Sequence, residues 1–109
     1  MELVLHSHNA TVSDVIRERA ERLVRRLALR SSRIVSATVR FAEDGAVRRV
    51  EIELHQAGGR RVVCAGTGRY FGPALGHAGA AVRAQLEHAK RTRRERSRDA
   101  AHVPLAEAS

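Results

Sequence analysis

The chain has 109 residues, 43% of them hydrophobic, which is enough for one compact domain and too little for two. Lys and Arg number 20 against 12 Asp and Glu, and the net charge of +8 predicts a polyanionic partner, because such a surface binds phosphate groups best. One cysteine excludes an internal disulfide, and no run of the sequence is apolar enough to span a membrane, so we expect a cytoplasmic protein with no membrane partner.

The positive charge is almost entirely arginine, with Lys90 as the only lysine. Guanidinium groups favour planar, bidentate contact with phosphate, although a GC-rich genome would also enrich arginine for no functional reason. The aromatic residues are Phe41, Tyr70 and Phe71 alone, so the base-stacking platforms of single-stranded RNA readers are not expected.

The first two predicted elements are a strand and a helix. Leu3-Val4-Leu5 begins a short strand that ends at His6 or Ser7. Ser13 has the character of a helix N-cap, and the residues behind it are apolar at helical spacing. This pattern predicts one amphipathic helix from about Asp14 to about Leu29.

Three strands are predicted next. Ile34–Phe41 is rich in β-branched residues, Val47–His55 alternates between apolar and polar residues, and Arg60–Ala65 completes the set. Glu43-Asp44-Gly45 and Ala57-Gly58-Gly59 supply the two connecting turns. One face of this sheet is expected to face water.

A second long helix is predicted with Pro73 in its first turn and an end at about Arg94 or beyond. Three glycines weaken its first half, each by roughly 1 kcal/mol relative to alanine, so packing must hold that half in place. They are Gly72, Gly76 and Gly79. Residues 97–109 lose the helical pattern and are predicted to be a disordered tail behind a folded domain of residues 1–96.

The order of elements, β-α-β-β-β-α, predicts an α+β two-layer sandwich with both helices packed on one face of a four-stranded sheet. Helical geometry places basic side chains along one flank of each helix, interrupted only by Glu87 on the second. The candidate RNA-binding residues are Arg19, Arg22, Arg25, Arg26, Arg30, Arg83, Lys90, Arg91 and Arg94. The two flanks could line a single groove. Alternatively, they are ordinary solvated helix faces whose arginine stems cover apolar surface.

Other candidate sites are weaker. His6 and His8 have the alternate spacing of a metal pair on a strand and His55 could join them, but no further ligand residue clusters with them. Cys64 lies in an apolar strand, where a buried thiol is the common outcome. Gly66-Thr67-Gly68 precedes a helix as a phosphate loop would, but a sharp strand-to-helix turn explains it equally well. No metal, cofactor, small-molecule substrate or enzyme activity is therefore predicted.

Three segments carry a resemblance to a known family. They are Leu3-Val4-Leu5-His6-Ser7-His8-Asn9, the helix entry Val12-Ser13-Asp14-Val15-Ile16-Arg17-Glu18, and Ala84-Gln85-Leu86 before a basic helix. With the order of elements, they resemble the short ribosome hibernation promoting factors, also called ribosome-associated inhibitors or ribosomal subunit interface proteins. The resemblance covers Met1 to Arg96.

The resemblance implies a protein that binds the 30S subunit and the 70S ribosome through 16S rRNA, in the channel of tRNA and mRNA. Such a protein inhibits translation under stress and is expected to be monomeric off the ribosome. Basic residues of both helices contact the RNA in this family. Arg22, Arg25 and Arg26 match those of the first helix, and Lys90 matches a lysine of the basic tail.

The chain departs from the family at the second helix. Members usually begin this helix with an acidic residue, a hydrophobe, a tyrosine and small residues followed by Ile-Asp, where this chain has Tyr70–Gly76, and a usual lysine is Ala81. We also expect a short form, without the additional C-terminal domain of the long members. Three alternatives remain open. The first is a general binder of structured or double-stranded RNA, and the second is a small metal- or thiol-dependent enzyme using His6, His8, His55 or Cys64. The third, which the charge alone also allows, is a binder of an acidic protein.

Overall fold

The elements follow the predicted order. The computed structural model describes the backbone of residues 1–108 and the side chains of residues 1–96. In chain order the elements are β1 (Glu2–His8), α1 (Asp14–Ala28), β2 (Ile34–Asp44), β3 (Val47–Gln56), β4 (Arg61–Gly68) and α2 (Phe71–Ala108). The predicted disorder of residues 97–109 falls outside the fully described residues and stays a prediction.

The sheet has the spatial order β1-β2-β3-β4 and mixes two kinds of pairing. β1 and β2 are parallel, which requires a crossover connection, and α1 is that connection. β2, β3 and β4 are antiparallel neighbours joined by hairpins. The predicted α+β sandwich is thereby confirmed.

One face of the sheet carries the hydrophobic core, as alternation along the strands requires. Both helices contribute to the same core, so they cover this face together, as predicted. The buried apolar side chains of the strands include Val39, Phe41, Val50, Ile52 and Leu54, and those of the helices include Val24, Leu27, Leu75, Val82 and Leu86. Phe41 and Phe71 meet edge to face, with ring centroids 5.6 Å apart.

The first helix is capped as its sequence predicts. The Ser13 hydroxyl accepts a hydrogen bond from the Ile16 N–H at 3.3 Å, and Asp14 lies in the first turn, where the helix dipole favours a negative charge. At the other end the Leu29 N–H donates to the carbonyls of Arg25 and Arg26, which closes the last turn. The cap thus sets the residue at which α1 begins.

Two predicted boundaries are corrected. β2 runs through Asp44, so the first hairpin turn is Gly45-Ala46, with Gly45 at a φ of 61°. β4 extends to Gly68, beyond the predicted end at Ala65, so Gly66-Thr67-Gly68 is neither a phosphate loop nor a turn. A Cβ at Gly66 would overlap the backbone of Ala74 and Ala78, so its glycine permits close packing of β4 on α2.

Candidate nucleic-acid interface

A groove runs between α1 and α2. The two helices lie side by side and run in the same direction, because an early residue of the first contacts an early residue of the second and a later residue contacts a later one. Arg19 approaches Gly72, and Arg30 reaches Glu87. The two helices approach each other closely at Gly79, where a Cβ would lie only 2.7 Å from a methyl group of Leu23. The absent side chain therefore lets the helices approach, which explains how packing holds this weak helical segment.

Three adjoining cavities make up this interhelical groove, each with a volume of about 260 to 270 Å³. The first cavity is lined by Arg19, Leu23, Arg26, Gly72, Leu75 and Gly76. The second cavity is lined by Leu23, Arg26, Leu27, Arg30, Gly79, Ala80 and Arg83. The third cavity is lined by Arg30, Glu87, Lys90, Arg91 and Arg94. The two basic flanks thus line one groove.

Among the side chains of residues 1–96, seven cations line the groove against a single carboxylate, Glu87, so most of the net charge of +8 is concentrated here. Each wall repeats its charges at intervals of seven and then four residues, which correspond to about 10 Å and 6 Å along a helix. These positions are Arg19 and Arg26 on α1 with Arg30 in the turn that follows it, and Arg83, Lys90 and Arg94 on α2. The arrangement suits an extended polyanion better than a single small anion.

Glu87 lies between the second and third cavities and joins the two helices. Its carboxylate accepts a hydrogen bond from Arg30 at 3.0 Å and lies 3.6 Å from Arg83. Both ion pairs are well exposed, so each contributes little to stability. The carboxylate occupies the position that an anionic ligand would take between these two arginines.

Arg22 and Arg25 lie outside the groove. Arg25 donates to Glu21 at 3.0 Å and borders a shallow hollow with Met1, Ala28 and Leu29. Arg22 is exposed but lines none of the three groove cavities. The groove therefore brings together seven of the nine predicted residues and leaves these two apart.

The sequence interpretation missed the bare floor of the groove. Gly72, Gly76 and Gly79 are spaced by four and three residues, so they share the helix face that looks toward α1. That spacing is the signal in the sequence, but helix propensity alone identifies these glycines only as poor helix formers. In the structure they line the α2 side of the first two cavities, opposite Arg19 and Arg26 of α1.

The open face of the sheet has a different electrostatic character, because its charges are paired. The Glu53 carboxylate lies within 3.5 Å of Arg40, Arg61 and His55, and Arg40 also contacts Glu51. Burial alone would raise the pKa of Glu53, but the hydrogen bond from Arg40 and the neighbouring charges of His55, Arg40 and Arg61 hold it below its usual value. This face has little charge to offer a polyanion.

The histidine and thiol candidates form no site within the described residues. No three His, Cys, Asp or Glu side chains of this part of the chain are grouped to hold a metal ion. His8 contacts Asn9, and His55 contacts Glu53. Burial raises the pKa of the Cys64 thiol, so the reactive thiolate is disfavoured.

Fold and groove define a class: a small α+β domain whose helix side carries a basic groove. No helix in the described part of the chain is both long enough and apolar enough to cross a membrane. A model of the family described as sigma 54 modulation protein / S30EA ribosomal protein matches residues 3–94. The chain belongs to this ribosome-associated family, as the resemblance indicated.

Two solved structures share the fold. The N-terminal domain of Thermus thermophilus Protein Y is 24% identical, with a TM-score of 0.70, and the match covers 81% of this chain and 98% of that one. A ribosomal subunit interface protein from Coxiella burnetii is 14% identical, with a TM-score of 0.76 over 83% of this chain and 98% of that one. No curated protein sequence matches the chain.

Proposed function

We propose that this protein is a ribosome hibernation factor that binds 16S rRNA of the 30S subunit and 70S ribosome through the interhelical groove. Bound in the channel of tRNA and mRNA, it excludes both and inhibits translation under stress. The observation that carries the proposal is the charge of the groove, with seven cations and one carboxylate between two helices. Family membership and the names of the structural relatives support the ribosome as the source of the RNA.

The proposed mechanism involves binding and steric exclusion and no chemical reaction. Arginine and lysine side chains of both walls neutralise phosphates and release their counterions, which supplies most of the affinity. The folded domain then blocks the channel by its bulk. The protein acts in the cytoplasm without a cofactor and is a monomer off the ribosome.

The test is co-sedimentation with 30S and 70S particles at low and high salt. The groove variant Arg83/Lys90/Arg94→Ala removes three cations of the α2 wall, and we expect it to lose binding at a salt concentration where the wild type still binds. The matched control is Arg33/Arg60/Arg69→Ala. Its three arginines are exposed, make no side-chain ion pair within residues 1–96 and lie outside the groove.

The two variants lose the same number of positive charges and differ only in whether those charges lie in the groove. Equal loss of binding in both would mean that net charge, not the groove, attracts the ribosome. Absence of wild-type binding at low salt would refute the proposed function. Equal affinity for ribosomes and for an unrelated RNA duplex in competition would instead identify a general binder of structured RNA.

A further inference from the structure

The first cavity differs from the rest of the groove in its floor. Arg19 and Arg26 border it on the α1 side, Leu23 and Leu75 supply apolar surface, and the bare backbone at Gly72 and Gly76 completes it. Its volume is about 260 Å³, and no acidic side chain lines it. Neither Arg19 nor Arg26 forms an ion pair with any of residues 1–96.

The two glycines of this floor are not required by the packing of the protein. A Cβ at Gly76 would meet no atom within 4 Å, and at Gly72 the nearest atom, at 3.2 Å, is the mobile guanidinium tip of Arg19. Gly66 and Gly79 differ, because a Cβ at either would collide with the neighbouring element. Glycine is a poor helix former, so these two positions weaken α2 without helping it to pack. What they do provide is space.

The side chains that line the first cavity indicate what kind of ligand it can bind. Two guanidinium groups bind phosphate and also stack on nucleobases, whereas the leucines and the bare helix surface favour a flat, weakly polar group. The cavity offers more room than a phosphate group fills. A ligand with an anionic group beside a planar ring satisfies both parts of the lining.

We propose that the first cavity receives one unpaired nucleotide of the bound RNA, with its base against Gly76 and its phosphate between Arg19 and Arg26. This inference rests on the proposed function and adds to it a preference for one kind of RNA structure. The groove binds RNA backbone of any sequence, while the cavity selects RNA in which a nucleotide is extruded from the helix. Unstacked nucleotides at bulges and loops are where proteins discriminate between RNA structures.

The test uses three fluorescent RNA hairpins with the same stem at low salt: one with a single-nucleotide bulge, one with an abasic residue at the bulge, and one fully paired. We expect the wild type to bind the bulged hairpin about tenfold more tightly than the other two, the size of one base-stacking contact. Gly76→Leu should abolish this preference, because it fills the cavity and leaves every arginine in place.

Ala84→Leu is the control, since it adds the same side chain at an exposed position of α2 outside the cavities, and it should keep the preference. Gly76→Gln fills the cavity with a polar side chain and should behave like Gly76→Leu, which guards against misfolding of either variant. Equal affinity of the wild type for the three hairpins, tight or undetectable, would overturn the inference, as would a preference that survives in both Gly76 variants. Failure of the proposed function is a separate observation, the absence of co-sedimentation with ribosomes.

Discussion

Glu53 lies on the water-facing side of β3, yet only 8% of its side chain is exposed. The side chains of Arg40, Arg61 and His55 surround it, and hydrogen bonds from both arginines satisfy its carboxylate. Alternation along the strand predicted the face correctly but not the burial. The carboxylate is buried because long side chains from the neighbouring strands β2 and β4 cover it. No local pattern in β3 predicts which side chains these strands place there.

The charge of Glu53 is expected to stabilise the fold at neutral pH. Its folded pKa lies below the unfolded value, so this contribution is complete above the unfolded pKa, near 4.5, and is lost as the pH falls through the folded pKa. Glu53→Gln should therefore lower the free energy of unfolding by about 1–2 kcal/mol at pH 7, with a smaller difference below pH 4.

Denaturant unfolding at a series of pH values measures this difference directly. Glu18→Gln removes the same charge from an exposed position of α1 and should change stability little at any pH. A cost of Glu53→Gln that stayed constant down to pH 3 would show that shape, not charge, is responsible.

At the scale of elements, the glycines of β4 and α2 have three different roles. Gly66 lets β4 approach the backbone of α2, Gly79 lets α1 and α2 meet, and Gly76 leaves open space. The sequence shows only that each residue is glycine and that glycine weakens a helix. The role of each glycine depends on the distance from the position of its missing Cβ to the neighbouring element. That distance is determined by how the elements pack.

This difference predicts opposite effects for the same substitution. Gly66→Ala should lower the free energy of unfolding by roughly 2–3 kcal/mol or more, because α2 must move away from the sheet to admit a methyl group. Gly76→Ala should raise it by up to about 1 kcal/mol, because nothing hinders the methyl group and alanine favours the helix. Thermal or denaturant unfolding of both variants checks the pair; a stable Gly66→Ala protein would contradict the close approach of β4 and α2.

At the scale of the whole molecule, the two faces are electrostatically unlike. The open sheet face pairs its arginines with Glu51 and Glu53, whereas the groove on the helix face holds seven cations and, among the described residues, one carboxylate. Full engagement of the seven groove cations by phosphates would give a log–log salt slope of roughly −5 to −6. Within the part of the chain whose side chains are described, Glu87 is the one acidic residue that opposes this charge from within the groove.

Removing that carboxylate is expected to strengthen RNA binding. Glu87→Gln frees Arg30 and Arg83 for phosphate, so affinity for ribosomes at low salt should rise roughly threefold to tenfold, with a salt slope steeper by about one or two contacts. Affinities measured across a salt series give both quantities. Glu18→Gln changes net charge equally outside the groove; an equal gain in that variant would assign the effect to overall charge.

The sequence by itself determined the order and type of the elements, the apolar face of each, and the positive sign of the helix flanks. Each of these follows from short-range periodicity or composition, which the chain carries locally. Only the tertiary structure decided that Arg26 and Arg30 face cations of α2 whereas Arg19 faces its glycines. It also decided that Arg22 and Arg25 lie apart, and that Glu87 pairs with Arg30, 57 residues away in the chain. These facts are distances between elements, and no period within one element contains them.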